Sequence, residues 1–461
     1  MSRQRPDRGP HARRHHSGAP VRVRPDVIVV GAGFGGLLVA CEVARRGGRP
    51  LVLEAGPAVG GVAATVHDEG YLLEPAAGSF LLPHPHLTPI LESARTRVVP
   101  AEATAHRRYV YDRGGLFEIA GPAAVATRLV SGRGKLRLLR EPWVRTRPTS
   151  ADESLRGFLE RRLGPEVGRM GATLMAHGVF AGDPDKLSAR AAFPAMVALD
   201  DDAGSLIRGG LARRRARPKD APRAGLHIAP NGMAELAAEL AASLGDDLRL
   251  EWPVDSVRRD GDEWVVGGRG EERSPAVVVA LAPAEAARVV PGPLAPLLNE
   301  ARTAPVAVVG LGGHAADLPV PSGFGALTGP DGGLHILGLL FESSYAAGRA
   351  PARHRLVKGI YGGDADPSVL ALADEDLVAL AIEEAGRILD VPLQPSWTRV
   401  VRHAPGIPQY HVGHSAWLDR LDAVAADLPG LHLAGWGYRG IGVASLAQHA
   451  ATLADKVLTT P

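Results

Sequence analysis

The sequence predicts an α/β fold in which a parallel-sheet domain is discontinuous along the chain, interrupted by a mixed α+β domain and an inserted helical domain. Three observations predict it. Near the start, "DVIVVGAGFGGLLVACEVARRGGRPLVLEAG" reads as a buried strand, a tight glycine turn, a small-residue helix and a second strand. At the end, the glycine-bearing "LHLAGWGYRGIGVASLAQHAATLADKVL" returns to the same pattern of strand, turn and helix. Between them lie β-rich stretches and a long helical one, not an uninterrupted alternation of strand and helix.

The opening unit carries the spacing of a Rossmann-like dinucleotide site. Gly31 permits the sharp turn, Gly33 lets the backbone approach a pyrophosphate, and Gly36 lets the helix pack closely on the sheet. Phe34 and Gly35 complete the turn, whose helix N-terminus attracts phosphate charge. Glu54 follows the second strand, placed to accept hydrogen bonds from a ribose diol, with Ala55 beside it. A second glycine pair, Gly60 and Gly61, follows in "AGPAVGGVAATVHDEGYLLEPAAGSF", where backbone can approach another part of the cofactor.

Length and composition bound the rest. A chain of 461 residues, 45% of them hydrophobic, can bury a large core and suits two or three domains. The longest apolar runs, such as "AVVVALA", fall well short of the roughly 20 residues that span a bilayer. The N-terminus lacks the apolar core of a secretory signal, and the single Cys41 cannot form an internal disulfide, so a reducing cytoplasm is the expected setting. Residues 1–25 hold seven Arg against one Asp and read as a disordered basic tail.

Along the chain, "SLRGFLERRLGPEVGRMGATLMAHGVF" has apolar residues at helical spacing, whereas "RGGLARRRARPKDAPRAG" reads as a loop. "LHIAPNGMAELAAELAASLG" reads as strand, turn and amphipathic helix. Strands follow in "LRLEWPVDSVRRDGDEWVVGG", the first containing Val254, where backbone could hold an adenine edge, and in "AVVVALAP". Residues 301–399 alternate β-rich segments with a helix at "DEDLVALAIEEAGRIL". The expected division is 26–88, 226–300 and 400–461 for the dinucleotide domain, 89–121 and 301–399 for the substrate domain, and 122–225 for the helical domain.

Four blocks resemble a known family. "GVFAGDPDKLSARAAFP" from Gly178, "FESSYAAGRAP" from Phe341, "APGIPQYHVGH" from Ala404 and "LPGLHLAGWGYRGIGV" from Leu428 are similar to segments of the protoporphyrinogen and coproporphyrinogen oxidases. That family lies within the flavin amine oxidase and phytoene desaturase superfamily, and the likeness covers nearly all of residues 26–459. The Gly60–Gly61 extension resembles the superfamily's flavin-binding continuation, which NAD enzymes generally lack, so the implied cofactor is FAD. Gly435, Trp436, Gly442 and Val443 fall where the family's backbone meets that cofactor.

The resemblance implies oxidation of a porphyrinogen to the porphyrin in three two-electron steps, with oxygen reoxidising the flavin to yield hydrogen peroxide. Because pyrrole protons can leave through tautomerisation and water, no general acid or base is nominated. Matching residue by residue puts the family's propionate-binding arginine on Arg108, a cavity-lining glycine on Gly178 and, through a segment one residue shorter, the ring-stacking aromatic on Tyr345. The counterpart of the family's helical domain leaves peripheral membrane contact open. The oligomeric state is undetermined.

Two departures separate this chain from the family pattern: Ala76 and Ala77 in "EPAAGSF", and Trp436 in place of a small polar residue. They keep two alternatives open, a diverged FAD-dependent oxidase acting on a secondary metabolite or amine, and a non-catalytic flavin- or porphyrin-binding paralogue. His84, His86, His411 and His414 read as surface or cavity residues with no metal, and Cys41 as a core residue. The Arg213–Arg215 run comes without an aromatic platform and predicts no nucleic-acid partner.

Overall fold

A computed structural model describes residues 24–119, 127–145, 152–218 and 222–459; the basic tail, residues 1–23 above all, lies outside them. Five short parallel strands form the first sheet, in the order Leu248–Arg249, Pro50–Leu53, Val27–Val30, Ala276–Val279 and Leu431–Leu433. The three central strands are apolar and buried along their whole length, as expected of parallel strands covered on both faces. On one face the helix Phe34–Arg45 packs against the C-terminal helix Val443–Thr459 and against Met233–Ala242. On the other, Trp264 of an antiparallel three-stranded meander joins Trp417 and Tyr438 in a second core.

A seven-stranded sheet forms the second layer, in the order Trp397–Pro408, Thr303–His314, His354–Gly362, Gly338–Leu340, Gly325–Thr328, Arg108–Asp112 and Gly115–Glu118. The pairings are antiparallel except that Gly325–Thr328 runs parallel to Arg108–Asp112. The helix Asp374–Leu389 covers this sheet through Leu377, Ala381, Ala385 and Ile388, spaced at three and four residues.

The helical insertion contains Leu155–Leu163 and Pro165–Phe180, broken at Gly164, whose φ of +87° suits glycine and whose successor, Pro165, starts a helix readily. Arg162 is fully buried there and pairs with Glu141.

Three expectations need correction. The Arg-rich stretch expected as a loop is in large part the helix Leu206–Ala216, nucleated by Ser205, whose side chain accepts from the Arg208 amide. Gly209 is tolerated because its missing side chain admits the backbone of Leu199: a Cβ would stand 2.7 Å from the Leu199 carbonyl oxygen. Val254 lies in the loop between Leu248–Arg249 and Ser256–Asp260, not in a strand, because Pro253 precedes it. The boundary at 399/400 falls inside Trp397–Pro408, whose pairing with Thr303–His314 keeps residues 400–408 in the second sheet.

One carboxylate joins the layers. Glu74 is fully buried; its Oε1 accepts from the Met233 amide at 2.8 Å, and its carboxylate accepts from the Thr65 hydroxyl and lies 3.3 Å from the buried Arg349 guanidinium. Burial pushes its carboxyl group up, with Arg349 and the Met233 amide pulling in the opposite direction. Removing one partner strands the other charge in the interior. Glu74→Ala is therefore expected to destabilise the fold by about 3–5 kcal/mol, read as a lower chemical-denaturation midpoint. Glu74→Gln, which keeps the contact with Met233, should cost less; an unchanged midpoint in the alanine variant would count against this role.

Candidate flavin and substrate site

The glycines at the two ends of the chain meet. Gly31 has φ +97°, and a Cβ on it would stand 2.9 Å from Leu281. A Cβ on Gly36 would stand 1.9 Å from the Gly31 carbonyl oxygen, so only glycine lets the helix start so close to the strand. Gly33 forms a parallel bridge with Gly60, whose amide donates to the Ala32 carbonyl at 2.8 Å, and a Cβ on Gly61 would meet the Gly33 Cα at 3.3 Å. From the far end of the chain Gly435 approaches Gly35, where a Cβ would stand 2.9 Å from the Gly435 Cα. The helix Phe34–Arg45 begins at Gly33 with no side-chain cap and no acid in its first turn, which leaves its positive end for an anion. These residues fit a dinucleotide: the cradle is one that side chains would fill.

Beside it, Gly31, Glu54, Ala55 and Val254 line a cleft of about 420 Å³. The Glu54 carboxylate accepts from the Ala32 amide at 2.7 Å and from the Gly56 amide at 2.8 Å, so it braces the turn as well as facing the cleft. Each oxygen keeps a second lone pair with which to accept from a ribose hydroxyl. Phe34 and Val443 belong to one buried core under the turn, and the Gly442 carbonyl accepts from Leu446 at the start of the last helix.

A second cavity, about 360 Å³ in its interior, lies between the two layers. It brings together Arg108, Gly178, Tyr345 and Trp436, which are far apart in the sequence, and adds Ala76 and Ala77. Val306, Val308, Leu327 and Leu339 supply much of its apolar wall. Gly178 faces the Leu327 side chain, which a Cβ would approach to 3.0 Å.

Arg108 stands exposed at the rim with its Cζ 4.6 Å from the centroid of Phe324. Among the described residues its guanidinium has no hydrogen bond and no ion pair, whereas its neighbour Arg107 is paired with Glu118. Partial burial pulls the Arg108 pKa down, with no carboxylate to offset it. Phe324 leans on Tyr345, their centroids 4.7 Å apart, and the Tyr345 hydroxyl donates to the buried Glu342 at 2.8 Å. Tyr345 is therefore a fixed wall with its polar tip turned aside.

Sequence reasoning missed Phe324, His177, Lys358 and His403, all on the same cavity. Lys358 is buried, its ammonium 2.7 Å from both the Glu342 carboxylate and the Glu74 carbonyl oxygen. A lysine in the apolar run of "HRLVKGIYGG" was the available signal. His403 donates from Nε2 to the Pro75 carbonyl at 3.0 Å, so Lys358 and His403 both hold the segment that bears Ala76 and Ala77.

The loop carrying Trp436 is held by Tyr410, whose hydroxyl donates to the Trp436 carbonyl at 2.5 Å and accepts from the Gly440 amide at 2.8 Å. His414 stacks on Tyr410 with centroids 4.0 Å apart, and His411 contacts Asp364. Among the described residues no group of acids, histidines and cysteine is arranged to hold a metal ion, and no helix is long and apolar enough to cross a membrane.

Residues 34–455 match the family model described as flavin containing amine oxidoreductase, and the chain belongs to that family. It is an FAD-dependent oxidoreductase with an α/β flavin-binding fold. It is similar to the chloroplastic protoporphyrinogen oxidase of Nicotiana tabacum, at 29% identity over 94% of this chain and 85% of the relative. It is also similar to the coproporphyrinogen III oxidase of Bacillus subtilis, at 24% identity over 90% of this chain and 94% of the relative. Among solved structures, a candidate protoporphyrinogen oxidase of Exiguobacterium sp. 255-15 superposes with a TM-score of 0.78 at 23% identity, covering 94% of this chain and 99% of that one.

Tyr410→Phe removes both hydrogen bonds to the loop carrying Trp436. A loss of about 1–3 kcal/mol in stability is expected, together with a shifted visible spectrum of the bound flavin. A spectrum and denaturation midpoint identical to the wild type would show that the loop is held otherwise.

Proposed function

We propose that this protein oxidises a porphyrinogen to the corresponding porphyrin, using FAD and molecular oxygen, in haem biosynthesis. The observation that carries the reading is Arg108: a cation with no partner among the described residues, stacked on Phe324 at the mouth of an otherwise largely apolar cavity. A porphyrinogen is a broad apolar macrocycle with carboxylates at its rim, and a guanidinium can bind such a carboxylate through two parallel hydrogen bonds. The names of the plant and bacterial relatives support the same substrate class.

Bound FAD supplies a two-electron acceptor. The chain's residues bind and orient. Arg108 anchors a propionate; Phe324, Tyr345 and the aliphatic wall hold the ring; Gly178 leaves room for it. Gly31, Gly33, Phe34, Gly35, Gly36, Glu54, Ala55, Gly60, Gly61 and Val254 hold the cofactor from one end of the chain, and Gly435, Trp436, Gly442 and Val443 from the other. Over three steps six hydrogens leave the macrocycle, and three oxygen molecules become three of hydrogen peroxide.

A diverged oxidase of another substrate is a second reading, favoured by Trp436, whose indole shares the cavity wall with Arg108. Aerobic porphyrin fluorescence separates the two. FAD-loaded protein mixed with coproporphyrinogen or protoporphyrinogen should give flavin-dependent growth of fluorescence, with three peroxides formed per porphyrin; growth no faster than autoxidation with both would favour the second reading. Arg108→Ala should raise KM by about 10- to 100-fold, the loss of one charged hydrogen-bonded contact, with flavin content unchanged.

On the helical insertion Leu136, Leu139 and Trp143 are exposed beside Arg133, Lys135, Arg137 and Arg140. That pattern supports peripheral contact with an anionic lipid surface. Cosedimentation with phosphatidylglycerol vesicles should fall for Trp143→Ser; no binding by the wild type would remove the proposal.

A further inference from the structure

The cavity wall is rich in groups whose donors and acceptors are already used. The Tyr109 hydroxyl donates to the Ser322 carbonyl at 3.0 Å, the Tyr345 hydroxyl to Glu342, the Lys358 ammonium to Glu74 and Glu342, and His403 Nε2 to Pro75. Arg108 can only donate. His177 differs. It lies in the last turn of Pro165–Phe180, one residue before Gly178, and its ring lines the cavity.

Its Nδ1 is 3.2 Å from the Thr328 carbonyl oxygen. A carbonyl can only accept, so Nδ1 carries the hydrogen, and in the neutral ring Nε2 is left with a lone pair. No described residue donates to that nitrogen. Burial lowers the pKa of His177 and so favours the neutral ring. The result is an acceptor of fixed tautomer on a wall whose other side-chain groups mostly donate or are occupied.

Resting on the porphyrinogen reading above, we propose that His177 Nε2 accepts a hydrogen bond from a ring N–H of the macrocycle and so favours the reduced substrate over the oxidised product. All four ring nitrogens of a porphyrinogen carry hydrogen and none can accept. In the porphyrin two have lost it, and the two that remain lie in the plane of a flat ring and point to its centre, away from a side chain on the ring's face. The same contact that draws the substrate in is weakened as the ring is oxidised, which assists release.

The test uses the holoenzyme with its flavin reduced and oxygen excluded, so that porphyrinogen binds without turnover. Dissociation constants are measured for coproporphyrinogen III and for coproporphyrin III, in the wild type, His177→Leu and His177→Gln. His177→Leu should weaken porphyrinogen binding about tenfold, the loss of one hydrogen bond, and change porphyrin binding less than twofold; His177→Gln, which retains an acceptor, should recover much of the difference. Should His177→Leu fail to retain flavin, His177→Met, unbranched and of similar reach, makes the same comparison.

Equal weakening for both ligands, or none for either, overturns the role of His177 while leaving the porphyrinogen reading intact. A wild-type protein that binds neither tetrapyrrole overturns both.

Discussion

The burial of Glu74 beside Arg349 is the interaction on which the rest of the molecule depends. Two charges with no exposure to solvent are tolerated when most of their hydrogen-bonding capacity is met, and among the described residues only Arg349 Nε of this pair lacks a partner. Here the partners come from separate parts of the fold: the Met233 amide and Thr65 hydroxyl from the flavin side, Arg349 from the loop that leads into His354–Gly362 and, through the Glu74 carbonyl, Lys358 from that strand of the second sheet. Apolar packing alone would let the layers slide; a directional cluster sets their register. The cavity is the space left between them, so its shape follows from this cluster. Pro75, Ala76 and Ala77 run straight from Glu74 into its wall.

The flavin cradle and the substrate cavity are made by different means. The cradle is a matter of subtraction: Gly31, Gly36 and Gly35 allow a turn, a helix and a returning loop to approach more closely than any side chain would permit. The cavity is built by addition, with aliphatic strands on one side, a helix end on another, and polar tips tied back so that few groups remain to address a ligand. Arg108 and His177 are two that do, one a donor at the rim and one an acceptor further along the wall.

Much of this was legible in the sequence, and the reasons are physical. The glycine turn is a local pattern in which each residue has a steric task, and the helix Asp374–Leu389 follows directly from its apolar spacing. Arg108 was legible only through resemblance, since one arginine in a strand has no signature of its own. Phe324, His177 and Lys358 escaped notice because their meaning lies in neighbours far away in the chain. The helix Leu206–Ala216 was obscured by its arginines and two glycines, although Ser205 offered a cap. Val254 was given to a strand that ends before it, and the boundary at 400 cut a twelve-residue strand whose polar residues disguised its continuity.

The order of strands in the first sheet has a consequence for biosynthesis. Val27–Val30 is flanked by Pro50–Leu53 on one side and by Ala276–Val279 on the other, and Leu431–Leu433 completes the edge. A nascent chain therefore exposes its first βα unit while several hundred further residues are still being made, before the helix that covers it, Val443–Thr459, emerges. Contacts so distant in sequence close slowly and leave apolar strands uncovered meanwhile. The early part of this protein is thus a natural client for chaperones, and the cofactor cradle cannot mature until Leu431–Leu433 and the helix after it have been made.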